Sequence, residues 1–244
     1  MSLSDHLIIP DWPAPENVRA LQTTRRGGVS RAPYDSLNLG LHVGDLALAV
    51  EQNRMRLSHL FSSEPVWLDQ VHGATVAYAD RASCLPVADA CVGRRGVCVV
   101  MTADCLPILL CDKAGTVVGA VHAGWRGLAA GVIEAAVAAM DVTPENLMAW
   151  LGPAISQAAF EVGEDVRSAF VNADESAESA FVEGAAGKYQ ADIYQLARRR
   201  LNLLGITQIH GGNCCTYREP EHFFSYRRDG ATGRMGTFIW LQGR

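Results

Sequence analysis

The chain of 244 residues is 49% hydrophobic and carries a formal charge of -5 at pH 7. This supplies the core of one large α/β domain spanning 1–244 and gives no overall electrostatic reason to approach nucleic acid or an anionic membrane. No run reaches the roughly 18 apolar residues of a membrane span, and the start MSLSDHLIIPDWPAP has neither the basic nor the long apolar region of a signal peptide. A cytoplasmic protein is therefore expected, favoured as a monomer and with small solutes as partners.

Residues 23–45, TTRRGGVSRAPYDSLNLGLHVGD, are dense in Gly, Arg, Asn and Ser and predict an irregular loop. Asp45 is then placed to cap a helix in LALAVEQNRMRLSHLF, whose apolar positions recur at helical spacing. The stretch VWLDQVHGATVAYAD predicts a strand, a break at Gly73 beside His72, and a second strand. Cys84, Cys91, Cys98 and Cys105 recur every seven residues, but the intervening Gly and Pro exclude a helical seam and leave apolar packing as the reading. The seven cysteines include no C-x-x-C pair, so neither a disulfide framework nor a structural zinc module is expected. Helices are expected at about 127–140, 161–172 and 191–204, the last ended by Gly205, with strands at 146–151, 206–210 and 235–241. Such alternation predicts a layered α/β architecture.

Between the second cluster of strands and the first long helix lies GVCVVMTADCLPILLCDKAGTVVGAVHAGWRGL, an apolar run interrupted by Cys105 and His122. The segments 107–111 and 116–122 read as strands around a turn at Asp112-Lys113-Ala114-Gly115, a hairpin that makes the sheet mixed. If Cys111 faces Thr116, facing residue numbers sum to 227 and Cys105 faces His122. Facing residues on an antiparallel pair share one side of the sheet, so this thiol and imidazole are placed to touch or to share a metal ion. A catalytic zinc usually takes three protein ligands, and His72 at a strand break is the best third candidate; His6, His42, His59, His210 and His222 remain open. Buried packing of the cysteine, with a carbonyl satisfying the histidine, is the structural alternative.

The segments LDQVHGATV, TADCLPILL, AVHAGWRG, LGPAI and FSYRRDGATGRM occur in that order, preceded by TTRRGGVS and SLNLGLHVGD. Together they resemble the YfiH family, also called the laccase-domain or multicopper polyphenol oxidase family, over nearly the whole chain. The resemblance implies a three-layer α/β/α fold with a mixed sheet and a His-Cys-His metal site that maps onto His72, Cys105 and His122. It also implies three activities: copper polyphenol oxidation, zinc-dependent phosphorolysis and deamination of purine nucleosides, or release of a wrong L-Ser from a UDP-MurNAc peptidoglycan precursor.

The residues discriminate among these. Several coppers normally need many histidines, including His-x-His pairs, which this chain lacks, so oxidation ranks last and zinc is expected ahead of copper. One thiolate and two imidazoles with an open position suit activation of water or phosphate, which places a purine nucleoside and phosphate first and the UDP-MurNAc precursor second. A metal-free alternative makes Cys105 a nucleophile activated by His122. Arg26 and Arg227, in glycine-bearing turns, are the expected anion contacts ahead of Arg25, Arg228 and Arg126. Asp104 is a candidate general base, partner to a ligating histidine, or turn cap; Asn38 and Asn53 are candidates for substrate contact or loop hydrogen bonding.

Overall fold

The strands between residues 97 and 123 are apolar and buried almost without interruption, so each has two buried faces, and two different layers must cover them. The computed structural model describes residues 6–81 and 84–243, so the first five residues of the N-terminal stretch read above lie outside the described residues. The strands are β1 (Leu7–Ile8), β2 (Val18–Thr23), β3 (Pro65–Val66), β4 (Val76–Tyr78), β5 (Ala90–Gly93), β6 (Val97–Thr102), β7 (Leu106–Asp112) and β8 (Val118–Ala123). They continue as β9 (Leu147–Leu151), β10 (Glu161–Val162), β11 (Phe181–Glu183), β12 (Tyr189–Ala191), β13 (Gln208–Gly211) and β14 (Met235–Leu241). The helices are α1 (Ala47–Leu57), α2 (Trp125–Ala129), α3 (Val132–Met140), α4 (Glu164–Val171), α5 (Ile193–Leu203) and α6 (Tyr226–Asp229).

The α/β class with mixed sheets is what forms, and the β layer between the helical layers is itself double. A five-stranded sheet of order β1-β2-β14-β6-β3 faces a six-stranded sheet of order β13-β9-β7-β8-β5-β4, with a small third sheet, β10-β12-β11, beside them. Along β7, Leu106, Ile108 and Leu110 pack on α2 to α5, whereas Leu109 and Cys111 enter the layer between the sheets. Along β6, Cys98 and Val100 meet them there, while Val97, Val99 and Met101 turn outward to Leu37, Leu39 and Leu57. Two short connections pass between the sheets at the same end of this double layer, where the longer segment 212–234 from β13 to β14 also crosses. Residues 67–75 connect β3 to β4, and residues 103–105 connect β6 to β7.

Several expectations shift. Cys111 pairs with Val118, and Pro107 with His122, so facing numbers sum to 229 rather than 227. The cause is Asp112, whose carboxylate accepts the N–H groups of Thr116 and Val117 at 2.6 and 3.0 Å and the Thr116 hydroxyl at 2.8 Å, moving the turn to Lys113–Thr116. The shift is by two residues, so every side chain keeps its face. The helix expected at 127–140 is broken at Gly131, whose φ of 90° is left-handed, and α2 starts two residues early at Trp125. Asp45 does not cap α1, because Leu46 holds the N-cap position without a side-chain bond and the Asp45 carboxylate instead accepts from Ser30, Asn38 and the Leu46 N–H. Residues 161 and 162, expected in a helix, pair with β12 instead.

Candidate metal centre

Three donors converge where the two inter-sheet connections meet the end of β8. His122 lies on the β8 face shared with Val118 and Ala120, which points between the sheets, and is 3% exposed. Cys105 directly precedes β7 and continues the face of Leu109 and Cys111. His72 comes from the other connection. One ligand atom from each of the three residues lies within 4.8 Å of the others, and the Cys105 Sγ is 3.8 Å from His72 Nε2. Tetrahedral zinc with bonds of about 2.0–2.3 Å sets its ligand atoms roughly 3.3–3.8 Å apart, so two imidazoles and one thiol at these separations fit the ion after small movements.

The backbone here is held in conformations that side chains rarely choose. His72 has a φ of 61° and Asp104 a φ of 91°, both left-handed and both non-glycine, which persists only where neighbours over-determine it. For His72 those neighbours are Asp89 and Gln70. The Asp89 carboxylate accepts from the N–H groups of Val71, His72 and Gly73 at 3.3, 2.9 and 2.7 Å. Gln70 clasps the Met101 backbone through both of its amide atoms, at 2.7 and 2.8 Å. Ahead of them, Trp67 packs edge-on against Phe238 with centroids 5.8 Å apart and carries the Arg54 guanidinium 3.6 Å from its ring centroid. Each such aromatic or cation–π contact is worth about 0.5–2 kcal/mol, which anchors the connection at its start. Gly124 leaves the room the site needs, because a Cβ there would stand 2.9 Å from His72 Cδ2 and 3.1 Å from Cys105 Sγ.

Asp89 also sets the electrostatics. Its Oδ1 lies 2.8 Å from His122 Nδ1, and its carbonyl accepts the His122 N–H at 2.7 Å. An Nδ1 proton held on a buried carboxylate leaves Nε2 to face the other donors, the arrangement that orients ligating histidines. Burial opposes charge on all three groups but is outweighed. For Cys105, burial would raise the thiol, yet His122 and His72 bring it down to about 6. For His122, burial would lower the imidazole, yet Cys105 and Asp89 raise it to about 9. Burial would likewise raise Asp89, but the His122 hydrogen bond and the backbone donors hold it below the ordinary carboxylate value. The result is a buried thiolate–imidazolium pair backed by a carboxylate.

The donors open into a cavity of about 420 Å³ lined also by His42, Gln70, Met101, Thr102, Tyr226 and Arg234. A larger groove of about 850 Å³, lined by Leu7, Trp12, Leu60 and Trp240 among others, gathers no histidine or cysteine, so chemistry favours the smaller one. The remaining expected contacts fall elsewhere. Arg26 is ion-paired to Glu221 in a separate cavity with Arg25 and Pro220. The Arg227 guanidinium turns to the Glu161 carbonyl at 2.8 Å and lies over Phe160, although its backbone N–H donates to Asp104 and its neighbour Tyr226 lines the site cavity. Long arginine side chains follow the nearest acceptor, which loop position in sequence does not reveal. Asp104 accepts from Thr216 Oγ1 at 2.6 Å and from the Arg227 N–H at 2.7 Å, so both carboxylate oxygens are engaged. Asn38 and Asn53 are wholly buried and hold scaffold rather than cavity: Asn38 bonds Gly40 and the Arg234 N–H, and Asn53, on α1, donates to the carbonyls of Ser36 and Asn38 in the preceding loop. Arg126 stacks on Trp125 and does not line the cavity. Asp89 and Arg234 were missed; an aspartate directly before the apolar strand ACVG was the available signal for the first.

The chain is similar to known proteins over nearly its full length. Residues 19–242 match the family model for multi-copper polyphenol oxidoreductase laccase. Purine nucleoside phosphorylase PA4543 of Pseudomonas aeruginosa is 55% identical over 237 residues, 96% of this chain and 98% of that protein. Purine nucleoside phosphorylase YfiH of Escherichia coli is 55% identical over 245 aligned positions, with the same coverage. The crystal structure of Neisseria meningitidis protein NMB0706 superposes with a TM-score of 0.95 at 51% identity, covering 98% of this chain and all of that one. A crystal structure of a Bacillus licheniformis YfiH protein superposes at 0.86 with 33% identity, covering 92% of each chain. With this match to the family model and to relatives at more than half identity, the chain belongs to the YfiH family of laccase-type proteins.

Proposed function

We propose that the protein is a metal-dependent purine nucleoside phosphorylase that cleaves its substrate in the cavity beside His72, Cys105 and His122, with phosphate as second substrate. The observation that carries this reading is the convergence of two imidazoles and one thiol at the wall of a cavity of about 420 Å³, within the range of small-ligand pockets. Relatives at more than half identity bear the name purine nucleoside phosphorylase. Zinc is the proposed ion, since a mixed nitrogen and sulfur set suits it, and His72, Cys105 and His122 would hold it. When bound, such an ion supplies Lewis-acid polarisation and a water of lowered pKa, which is why adenosine deamination is proposed as a second activity. A multicopper centre would need further ligand clusters, and among the described residues His72, Cys105 and His122 form the one group of that kind.

The chain's own residues do the positioning. Asp89 accepts the Nδ1–H hydrogen bond of His122 and pins the His72 backbone, so one carboxylate orients two donors. Asp104, saturated by Thr216 and Arg227, is proposed as a positioning residue that docks the Tyr226 segment against the cavity. A second reading is favoured by the placement of the Cys105 thiol beside two imidazoles: a thiolate hydrolase acting on the amide of UDP-MurNAc-L-Ser.

One experiment separates them. The purified, metal-quantified protein is incubated with adenosine, inosine and UDP-MurNAc-L-Ser, with and without phosphate, and products are identified by mass. Phosphate-dependent release of base that stops with a strong chelator and returns with zinc is expected. Serine release that survives chelation and is blocked by a thiol alkylator, without nucleoside turnover, would overturn the proposal.

A further inference from the structure

The guanidinium of Arg234 stands at the wall of the site cavity with no ion pair among the described residues, although Cys105 and Asp104 are near enough to act on its charge. Its Nη1 donates to the carbonyls of Thr232 and Gly233, both at 3.0 Å, and among the described residues Nε and Nη2 have no partner and no carboxylate pairs with it. These two nitrogens form the side-on edge with which arginine grips two oxygens of one carboxylate or phosphate. Other arginines of this region are committed: Arg25 to Asp35, Arg26 to Glu221, Arg228 to Asp229 and Arg54 to the Leu39 carbonyl.

The scaffold holds Arg234 in place. The wholly buried Asn38 accepts the Arg234 N–H at 2.9 Å through the same oxygen that takes the Gly40 N–H, and the Leu39 N–H donates to the Arg234 carbonyl at 3.1 Å. The Asn38 Nδ2 is fixed in turn by Asp45 at 2.9 Å. A second polar group is orphaned in the same cavity. Thr102 is 1% exposed, lies on the face of β6 that points between the sheets, lines the cavity, and its hydroxyl has no hydrogen-bond partner among the described residues. A partly buried cation with no ion pair and a buried hydroxyl with no partner among the described residues both carry a desolvation cost that an incoming oxyanion offsets.

We propose that Arg234 and Thr102 form the phosphoryl-oxygen subsite of this cavity, Arg234 through its Nε/Nη2 edge and Thr102 through its hydroxyl, and that its ligand is orthophosphate. This rests on the phosphorylase reading, in which the attacking phosphate must sit beside the donor cluster. It places the anion on an arginine of the TGRM segment rather than on Arg26 or Arg227.

The test is direct binding followed by kinetics. Orthophosphate, and separately uridine diphosphate, are titrated into zinc-loaded wild-type protein and into Arg234→Met, Arg234→Lys and Thr102→Val, with binding read by phosphorus NMR and calorimetry. Wild type is expected to bind orthophosphate. Arg234→Met should weaken it about tenfold or more and Thr102→Val about threefold or more, with Arg234→Lys between wild type and Met. In turnover, the KM for phosphate should rise in parallel while the KM for inosine stays within twofold. Circular dichroism and metal content check each fold, and if Arg234→Met does not fold, Arg234→Lys and Thr102→Val decide. Arg234-dependent binding of the diphosphate alone would keep a phosphoryl subsite but overturn orthophosphate as its ligand and, with it, the phosphorylase reading. Arg234-dependent binding of orthophosphate without nucleoside turnover would overturn the phosphorylase reading alone. Folded variants that bind both ligands like wild type, or a wild type that binds neither, would overturn the subsite.

Discussion

Cys105 and Cys111 stand at opposite ends of one strand, on the same face, and the protein treats them in opposite ways. Cys111 lies within the double sheet among Leu109, Val118 and Met148. Burial there, reinforced by Asp112, pushes its thiol up to about 12. Cys98 on the facing sheet is likewise held protonated, by its hydrogen bond with Cys91 and by burial. Cys105 sits at the open rim of that layer, where two imidazoles outweigh desolvation and bring it down to about 6. The interior of the layer and its rim therefore differ in neighbours more than in depth, and it is the neighbours that turn a packing group into a ligand or nucleophile.

Replacing Cys105 by Ser breaks this contrast most severely. Zinc affinity should fall on the order of 10²–10³-fold, since structural zinc is worth about 10–16 kcal/mol spread over four ligands. Turnover should be lost with it, while the thermal midpoint of the metal-free variant stays near that of metal-free wild type. Atomic absorption after dialysis and a melting curve check both halves. Global unfolding would instead mean that the rim holds the fold together.

Reactivity against pH gives the next largest effect. With a folded value of about 6 against an ordinary 9.0, the Cys105 thiol of metal-free protein loses its proton as pH rises through about 6. It should therefore be mostly thiolate at pH 7, whereas an ordinary cysteine would be about 1% thiolate there. The alkylation rate of metal-free protein, read by peptide mass, should climb between about pH 5 and 7 at Cys105 and stay near zero at Cys98 and Cys111 until denaturant is added. A Cys105 midpoint near 9 would show that the imidazoles do not charge the pair.

Asp89→Asn sharpens the comparison by leaving all three donors in place. It removes the charge that backs His122 and weakens the grip on the His72 backbone, so zinc affinity should drop about 10–100-fold, measured by competition with a chromophoric chelator. Because the Asp89 carboxylate is held below its ordinary value, its contribution to stability is present above the carboxylate range and lost as pH falls. The metal-free wild type should therefore lose stability on acidification more steeply than the variant.

The smallest effect belongs to the interior. Cys111→Ala should cost about 1 kcal/mol of stability, as for loss of one packed core atom, with zinc content and turnover unchanged. Any loss of metal would mean that packing between the sheets tunes the rim.

The sequence by itself determined the strand-and-helix alternation, the α/β class and the pairing of a thiol with an imidazole on one face, because side-chain parity along a strand is local and survives a register error of two. It also located His72, since a histidine beside a glycine break marks a change of direction. Only the tertiary structure decided the rest. The turn length depended on how many donors the Asp112 carboxylate gathers, and the break in the long helix on the left-handed Gly131. Arg26 and Arg227 left the cavity for Glu221 and the Glu161 carbonyl, while Arg234 was delivered to it by Asn38, remote in sequence. The carboxylate that orients His122 likewise comes from the start of a neighbouring strand. Such choices turn on which acceptor lies within a few ångströms of a flexible side chain, a distance that exists only once the two sheets have closed on each other.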